Sequence, residues 1–238
     1  MNTKRVDLYG DGIGFVELVD QMGTDLTVVN AARVSLGKHK ESMDAKDEKL
    51  INYLVEHKHT STFEHNYVTF RMKVPIYVRS QHHRHRTWSY NEISRRYTDF
   101  NIEFYEPATF RKQSKNNRQA SDVDTSFDPS MLFIADDPES AKITASWLLR
   151  AHHNHSLTLF NSLIEAGVCR EQARGVLPQN MYTEYYGTVN LNNLLKFISL
   201  RIHEGAQWEI QELAKGMLKI TEGLWPVAVK AFREKGEN

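Results

Sequence analysis

Hydrophobic and polar positions change period several times along the chain, and each change marks an element. The segment "GFVELVDQMG" (14–23) predicts a strand, and "DLTVVNAARVS" (25–35) predicts a helix with Asp25 as its cap. Residues 44–58 place Leu50, Ile51, Leu54 and Val55 on one helical face. The period then breaks at "HTSTFEH" (59–65). In "NYVTFRMKV" (66–74), Val68, Phe70, Met72 and Val74 alternate with Tyr67, Thr69, Arg71 and Lys73, the pattern of a half-buried strand. Pro75 suits a first helical turn, so "IYVRSQHHRHR" (76–86) predicts a helix.

The second half continues the mixture. Phe100, Ile102 and Phe104 alternate in "DFNIEFYEP" (99–107), predicting a strand. Residues 112–137 are polar and irregular, the signature of a surface excursion. A long helix is predicted from about 138 to Gly167, whose left-handed propensity ends it. A short helix, "REQARGVL" (170–177), a strand, "MYTEYYGTV" (181–189), and two closing helices, "LNNLLKFISLRI" (191–202) and "AQWEIQELAKGMLKI" (206–220), complete the chain. Helices and strands are intermixed without a repeat or a Gly/Ser linker. The expected fold is therefore one α/β (α+β) domain over 1–238, its mixed or antiparallel central sheet packed with helices, with an excursion at about 112–137.

Composition narrows the function. The chain has 238 residues, 40% hydrophobic and 25% charged, and 30 basic residues balance 30 acidic ones. Such neutrality disfavours a dedicated nucleic-acid binder. No apolar run approaches the roughly 20 residues of a membrane span. The start, "MNTKRVDLYGDGIGF", lacks a secretory apolar stretch, so no membrane partner and a cytoplasmic location are expected. One cysteine, Cys169, excludes an internal disulfide framework.

Against this neutral background, "RHRTWSYNEISRRY" (84–97) carries Arg84, Arg86, Arg95 and Arg96 against the lone acid Glu92. Arginines interleaved with Ser, Asn and Tyr suit a pocket for a polyanion, because the guanidinium fork grips phosphate and keeps its charge. A solvated basic face is the alternative. On a helix over 76–87, Arg84 and Arg86 point roughly 200° apart and so serve different ligands or subunits, while Gln81 and His85 share a face. The histidines at 82, 83, 85, 152, 153 and 155 have spacings that diverge and arginine neighbours that repel a dication, so no metal is expected. The "HHNH" run at 152–155 is expected to face solvent or another subunit. Cys169 reads as a small buried residue at a helix start, not a nucleophile. "GDGIG" (10–14) has neither the spacing nor the preceding strand of a dinucleotide loop.

These residues bring a family into view. "RHRTWSYNEIS" resembles the signature of the flavin-dependent thymidylate synthases, R-H-R followed by seven residues and serine. "AARVS" (31–35), "HTSTFEH" (59–65), "SRRY" (94–97), "EQARGVLPQNMYT" (171–183), "TVNLNNLLKFISLR" (188–201) and "AQWEIQ" (206–211) resemble its other blocks, in its order. The resemblance implies reductive methylation of dUMP to dTMP without a protein nucleophile. Methylenetetrahydrofolate is the carbon donor, FAD carries the hydride and NADPH reduces it.

The resemblance also implies roles. Gln81, Arg84, Glu92, Ser94, Arg95 by its backbone, Arg96, Tyr97, Arg174 and Arg201 form the dUMP set, with Arg201 catalytic through stabilisation of the uracil anion. Ser35, Ser61, Glu64, Arg84, His85, Arg86, Asn190, Asn192 and Lys196 form the FAD set, and His59 lines the flavin edge for folate. A homotetramer with sites at subunit junctions is implied as well. Two departures stand out: Lys196 replaces a frequent amide and Gly205 a frequent histidine, for which His203 is a possible substitute. Competing readings are a nucleotide binder without catalysis, an RNA-binding module stacking bases on Trp88 and Tyr90, and a cysteine-dependent synthase.

Overall fold

The alternation at 66–74 does form a strand, and its apolar face is the deepest part of the sheet: Val68, Phe70, Met72 and Val74 are each at most 1% exposed. The structure, a computed structural model, describes residues 4–115, 117, 118, 120–132 and 142–235. In chain order it runs β1 (Arg5–Asp7), β2 (Phe15–Met22), α1 (Asp25–Arg33), α2 (Ala45–Glu56), β3 (Tyr67–Pro75), α3 (Ile76–His82), β4 (Ser89–Glu92) and β5 (Phe110–Gln113). There follow β6 (Ser121–Phe127), β7 (Ser130–Leu132), β8 (Lys142–Thr144), α4 (Ala145–Glu165) and α5 (Arg170–Ala173). The chain then continues through β9 (Tyr182–Asn190), α6 (Leu191–Ile202), α7 (Trp208–Leu224) and α8 (Pro226–Lys235). The architecture is mixed α/β with antiparallel sheets.

Two compact units emerge among the described residues: Met1–Lys73 with Gln81–Asn91 and Glu184–Asn238, and Val74–Ser80 with Glu92–Thr183. The first centres on a five-stranded sheet ordered β1-β2-β3-β9-β4. Val6 pairs with Val16 and Phe15 with Lys73 in antiparallel ladders, and a bulge between Leu18 and Asp20 shifts the second register. Helix α6 packs on α7, and α2 on α8. Leu191, Leu194, Phe197, Ile210, Leu213 and Met217 are wholly buried in this unit, each contributing about 1.5–3 kcal/mol of apolar burial.

Capping explains where the helices start. Asp44 accepts the backbone N–H groups of Lys46 and Asp47 at the head of α2. Thr24, not Asp25, occupies the N-cap of α1. The Asp25 carboxylate instead accepts from Val227 N and Ala228 N, both at 3.0 Å, and so caps α8. Burial pushes its pKa up, against the lowering effect of those two bonds. Gly23 beside it has φ +84°, and a Cβ there would meet Asn66 Oδ1 at 1.9 Å, so the turn into α1 requires glycine.

The second unit holds two two-stranded antiparallel sheets, β5-β6 and β7-β8, and the helix α4. His153 on α4 is 2% exposed, its Nδ1 2.8 Å from Glu106 Oε1, its Nε2 2.5 Å from Asn180 Nδ2, and Phe104 stacked on its ring.

Several sequence expectations change. Helix α3 stops at His82, so Arg84 and Arg86 lie on turns and the helical angle between them does not apply. Pro75 ends β3 and does not open the helix. Residues 99–107 carry one isolated bridge, Phe104 to Met181, because Asn101 takes φ +52° and interrupts extended backbone. Within the expected irregular excursion, residues 112–113 belong to β5, 121–127 to β6 and 130–132 to β7, whereas 133–137 lie outside the described residues. Helix α4 starts at Ala145, after strand β8; the expected start at 138–141 lies outside the described residues. His153 is buried, not solvent-facing. Cys169 is exposed, not buried. The short β1 and the closing helix α8 escaped the period analysis.

Candidate active site

In the first unit the R-H-R segment sits on consecutive turns built over a buried histidine. Arg84 N donates to Gln81 O at 3.3 Å, and His85 N to His82 O at 3.0 Å. The Tyr90 hydroxyl donates to the carbonyls of His82 and His85 at 2.9 and 3.2 Å, clamping the turn from outside the backbone. His82 is fully buried among Trp88, Tyr90, Tyr185 and Phe197, with Nδ1 2.8 Å from the Tyr185 hydroxyl. Burial, reinforced by its histidine and arginine neighbours, drives its pKa well below the usual value and keeps it neutral.

His85 has a defined tautomer. Arg201 Nε donates to His85 Nε2 at 3.1 Å, so that nitrogen is unprotonated and Nδ1 carries the hydrogen. Burial first, then the Arg201 charge, lowers the His85 pKa from 6.5 to about 4. A neutral imidazole thus holds a partly buried guanidinium in place. Gln81, also of this unit, donates through Nε2 to Gln207 Oε1.

The expected flavin residues of this unit are partly connected. Asn192 Nδ2 donates to Glu64 Oε1 at 2.9 Å, and Asn190 caps α6 by accepting Asn193 N at 2.9 Å. Ser61, Arg84, Arg86 and His59 are exposed, and the His59 ring meets the Tyr53 edge at 5.8 Å. Asn192 and Lys196 line a largely apolar cavity of about 350 Å³ with Leu54, Phe63, Leu195 and Phe232. His203 Nδ1 accepts Gly205 N at 3.0 Å, which ties that ring to the local turn.

Ser35 follows α1, and its hydroxyl donates to Ala32 O at 3.2 Å. The loop beyond it is anchored by Asp47, a wholly buried carboxylate that accepts Arg33 Nη2 at 2.7 Å, Asp44 N at 3.0 Å and Lys40 Nζ. Burial acts to raise the Asp47 pKa, but these bonds, led by Lys40, overcome it and hold the carboxyl at about 2.

The second unit gathers Glu92, Ser94, Arg95 and Arg174 around one pocket of about 560 Å³. Glu92 Oε1 accepts the Thr183 hydroxyl at 2.6 Å and lies 3.1 Å from Arg79 Nε, so the acid is oriented from two sides. Ser94 accepts Arg96 N through its hydroxyl at 3.2 Å. The Arg95 guanidinium is buried and donates to Phe100 O and Asn101 O at 2.7 and 3.2 Å, so that side chain is committed to the chain's own carbonyls. Arg174 is exposed on a 3₁₀ turn. Arg96 Nη2 lies 3.7 Å from Glu171, and the neighbouring Tyr97 is 77% exposed. A pocket with guanidinium, hydroxyl and one fixed carboxylate can grip a phosphate and accept from hydroxyl or N–H groups.

Arg79, Thr183 and Asp47 were missed by sequence reasoning. Only a partner's position reveals Arg79 and Thr183, since Glu92 is 13 and 91 residues away from them. Asp47 had a local signal: three residues after Asp44, it completes a capping box.

Comparison with known proteins identifies the family. The family model for "Thymidylate synthase complementing protein" matches residues 17–227. A flavin-dependent thymidylate synthase of Thermus thermophilus is 44% identical over 221 residues, covering 93% of this chain and 76% of that protein. One of Thermosipho africanus is 42% identical over 219 residues, covering 92% and 90%. Among solved structures, the UMP/dUMP methylase PolB from Streptomyces cacaoi, bound with 5-Br dUMP, superposes with a TM-score of 0.79 at 33% identity, covering 97% of this chain and 98% of that one. The chain belongs to the flavin-dependent thymidylate synthase family, matched by the model of the thymidylate synthase complementing protein.

Proposed function

We propose that this protein converts dUMP to dTMP, with methylenetetrahydrofolate as carbon donor and FAD reduced by NADPH. The observation that carries the reading is the family match across 17–227, which spans the expected nucleotide and flavin residues from Ser35 to Arg201. The Glu92 pocket binds the nucleotide: Ser94, the Arg95 backbone, Arg96 and Arg174 take the phosphate, Glu92 accepts from the nucleoside, and Tyr97 covers it. Gln81 and Arg84, of the first unit, belong to the nucleotide set that the resemblance implies. Arg201, held by neutral His85, stabilises the negative charge that develops on the uracil ring without titrating.

The residues present fit a flavin dinucleotide. The cavity lined by Leu54, Phe63, Leu195, Asn192 and Lys196 offers apolar walls, an amide and a cation, which suit a flat heteroaromatic ring attached to phosphate. Arg84, Arg86 and Lys196 supply charge for the pyrophosphate, and Ser35, Ser61, Glu64, His85, Asn190 and Asn192 supply polar contacts. When bound, the flavin supplies the hydride that completes the methyl group. His59 lines the folate side. Assembly into a homotetramer, implied by the resemblance, belongs to the same reading.

The test is tritium release from dUMP labelled at C5, with NADPH and methylenetetrahydrofolate, with and without FAD. FAD-dependent release that survives Cys169→Ala is expected. Absence of release from folded, FAD-saturated protein overturns the reading. UMP is assayed alongside, because the methylase from Streptomyces cacaoi is described for both nucleotides.

A further inference from the structure

We infer that Glu209 and Gln207 are positioning residues that fix the amide orientation of Gln81, and through it the binding of the nucleotide. The inference rests on the proposed role of Gln81 as a nucleotide ligand. Three side chains form a directed chain: Gln207 Nε2 donates to Glu209 Oε2 at 2.9 Å, and Gln81 Nε2 donates to Gln207 Oε1. The direction is set by chemistry at one end. A carboxylate only accepts, so the amide nitrogen of Gln207 must face Glu209, and its oxygen then faces Gln81. Gln81 must in turn present nitrogen to Gln207, which reserves its carbonyl oxygen and one N–H for a ligand.

The base of this chain is rigid. Glu209 is 3% exposed on the first turn of α7, and its carbonyl accepts the Tyr9 hydroxyl at 3.2 Å. Gln207 is the N-cap of the same helix, with its carbonyl accepting Ile210 N and Gln211 N at 3.1 and 3.0 Å. Gln211 also pins the incoming loop, donating to Ala206 O at 2.7 Å. A buried acid, a helix start and two amides thus fix which atoms Gln81 shows. Without the acid, nothing sets the direction of the two amides, and Gln81 no longer offers one fixed set of atoms.

The test is a double-mutant cycle read by equilibrium dUMP binding in calorimetry and by steady-state KM and kcat, all on FAD-loaded protein. Gln207→Leu and Glu209→Gln should each raise the dUMP Kd and KM roughly fivefold, the size of one neutral hydrogen bond, with kcat within about twofold. In a Gln81→Ala background neither should add anything, because both act through Gln81. Multiplicative effects in that background overturn the inference and leave Glu209 with a purely structural role. If Gln81→Ala alone leaves dUMP binding unchanged, the ligand role of Gln81 falls and the inference with it, while tritium release by that variant would still support the proposed reaction. Circular dichroism and melting of each variant identify loss of fold, and Gln207→Leu, altered at a helix cap outside the core, keeps the cycle readable should Glu209→Gln unfold.

Discussion

Protonation of His85 should destabilise the folded protein in a defined pH window. Its pKa falls from 6.5 to about 4 on folding, chiefly by burial and then by the Arg201 charge. Between those values the unfolded chain binds more protons than the folded one. Stability is therefore complete above about pH 6.5, declines as pH falls and levels off near pH 4. The full shift corresponds to about 3 kcal/mol. His85 is only half buried, and solvent screening reduces the expected loss to about 1–2 kcal/mol. The control is His85→Gln, whose amide oxygen can still accept Arg201 Nε but does not titrate. Urea unfolding at fixed protein concentration, from about pH 7.5 to about pH 4.5, should show the native protein losing about 1–2 kcal/mol more than the variant. His82, shifted in the same direction, is present in both proteins and cancels. Parallel stability curves would refute the assignment of His85 as a neutral acceptor for Arg201.

Other perturbations have equally definite outcomes. Thr183→Val removes the 2.6 Å bond to Glu92 and leaves Arg79 as its partner; the dUMP KM should rise roughly tenfold, as expected for one hydrogen bond to a charged group, and an unchanged KM argues against Glu92 as a ligand. Asp25→Ala uncaps α8 and should cost about 1–2 kcal/mol, with amide hydrogen exchange of residues 227–235 accelerating first. Gly216→Ala places a Cβ 2.7 Å from Val16 Cγ1 in the sheet-facing side of α7. Overpacking should outweigh the gain in helix propensity by about 1 kcal/mol, lowering Tm by about 2–4 °C; a raised Tm would show that Val16 has room to move.

Period and capping made much of this protein readable in advance. Strands β2, β3 and β9 and helices α1, α2, α6 and α7 fall where their apolar spacing places them, because each buries one face in a shared core. Three residues are too few for a period, which hid β1, and α8 adds only ten residues after Trp225. The early end of α3 was hidden for another reason. The chain turns at His82 so that Trp88, His82 and Phe197 can pack together, and Phe197 lies more than a hundred residues away. The charged cluster at 84–97 named its own candidates. The groups that orient them, Arg79, Thr183, Gln207 and Glu209, act across distances in sequence at which no local pattern survives.

The link between Asp25 and α8 has a consequence for how the protein is made. Gly23 accepts the Trp225 indole N–H at 3.2 Å, so two neighbouring residues near the start of the chain are bound by partners about 200 positions later. A ribosome adding roughly 5–20 residues per second needs roughly 10–40 seconds to deliver those partners. Throughout that interval the Asp25 carboxylate lacks the two backbone donors that hold it in the folded protein. The segment carrying α8 thus completes the turn into α1, although about 200 residues separate the two in the chain.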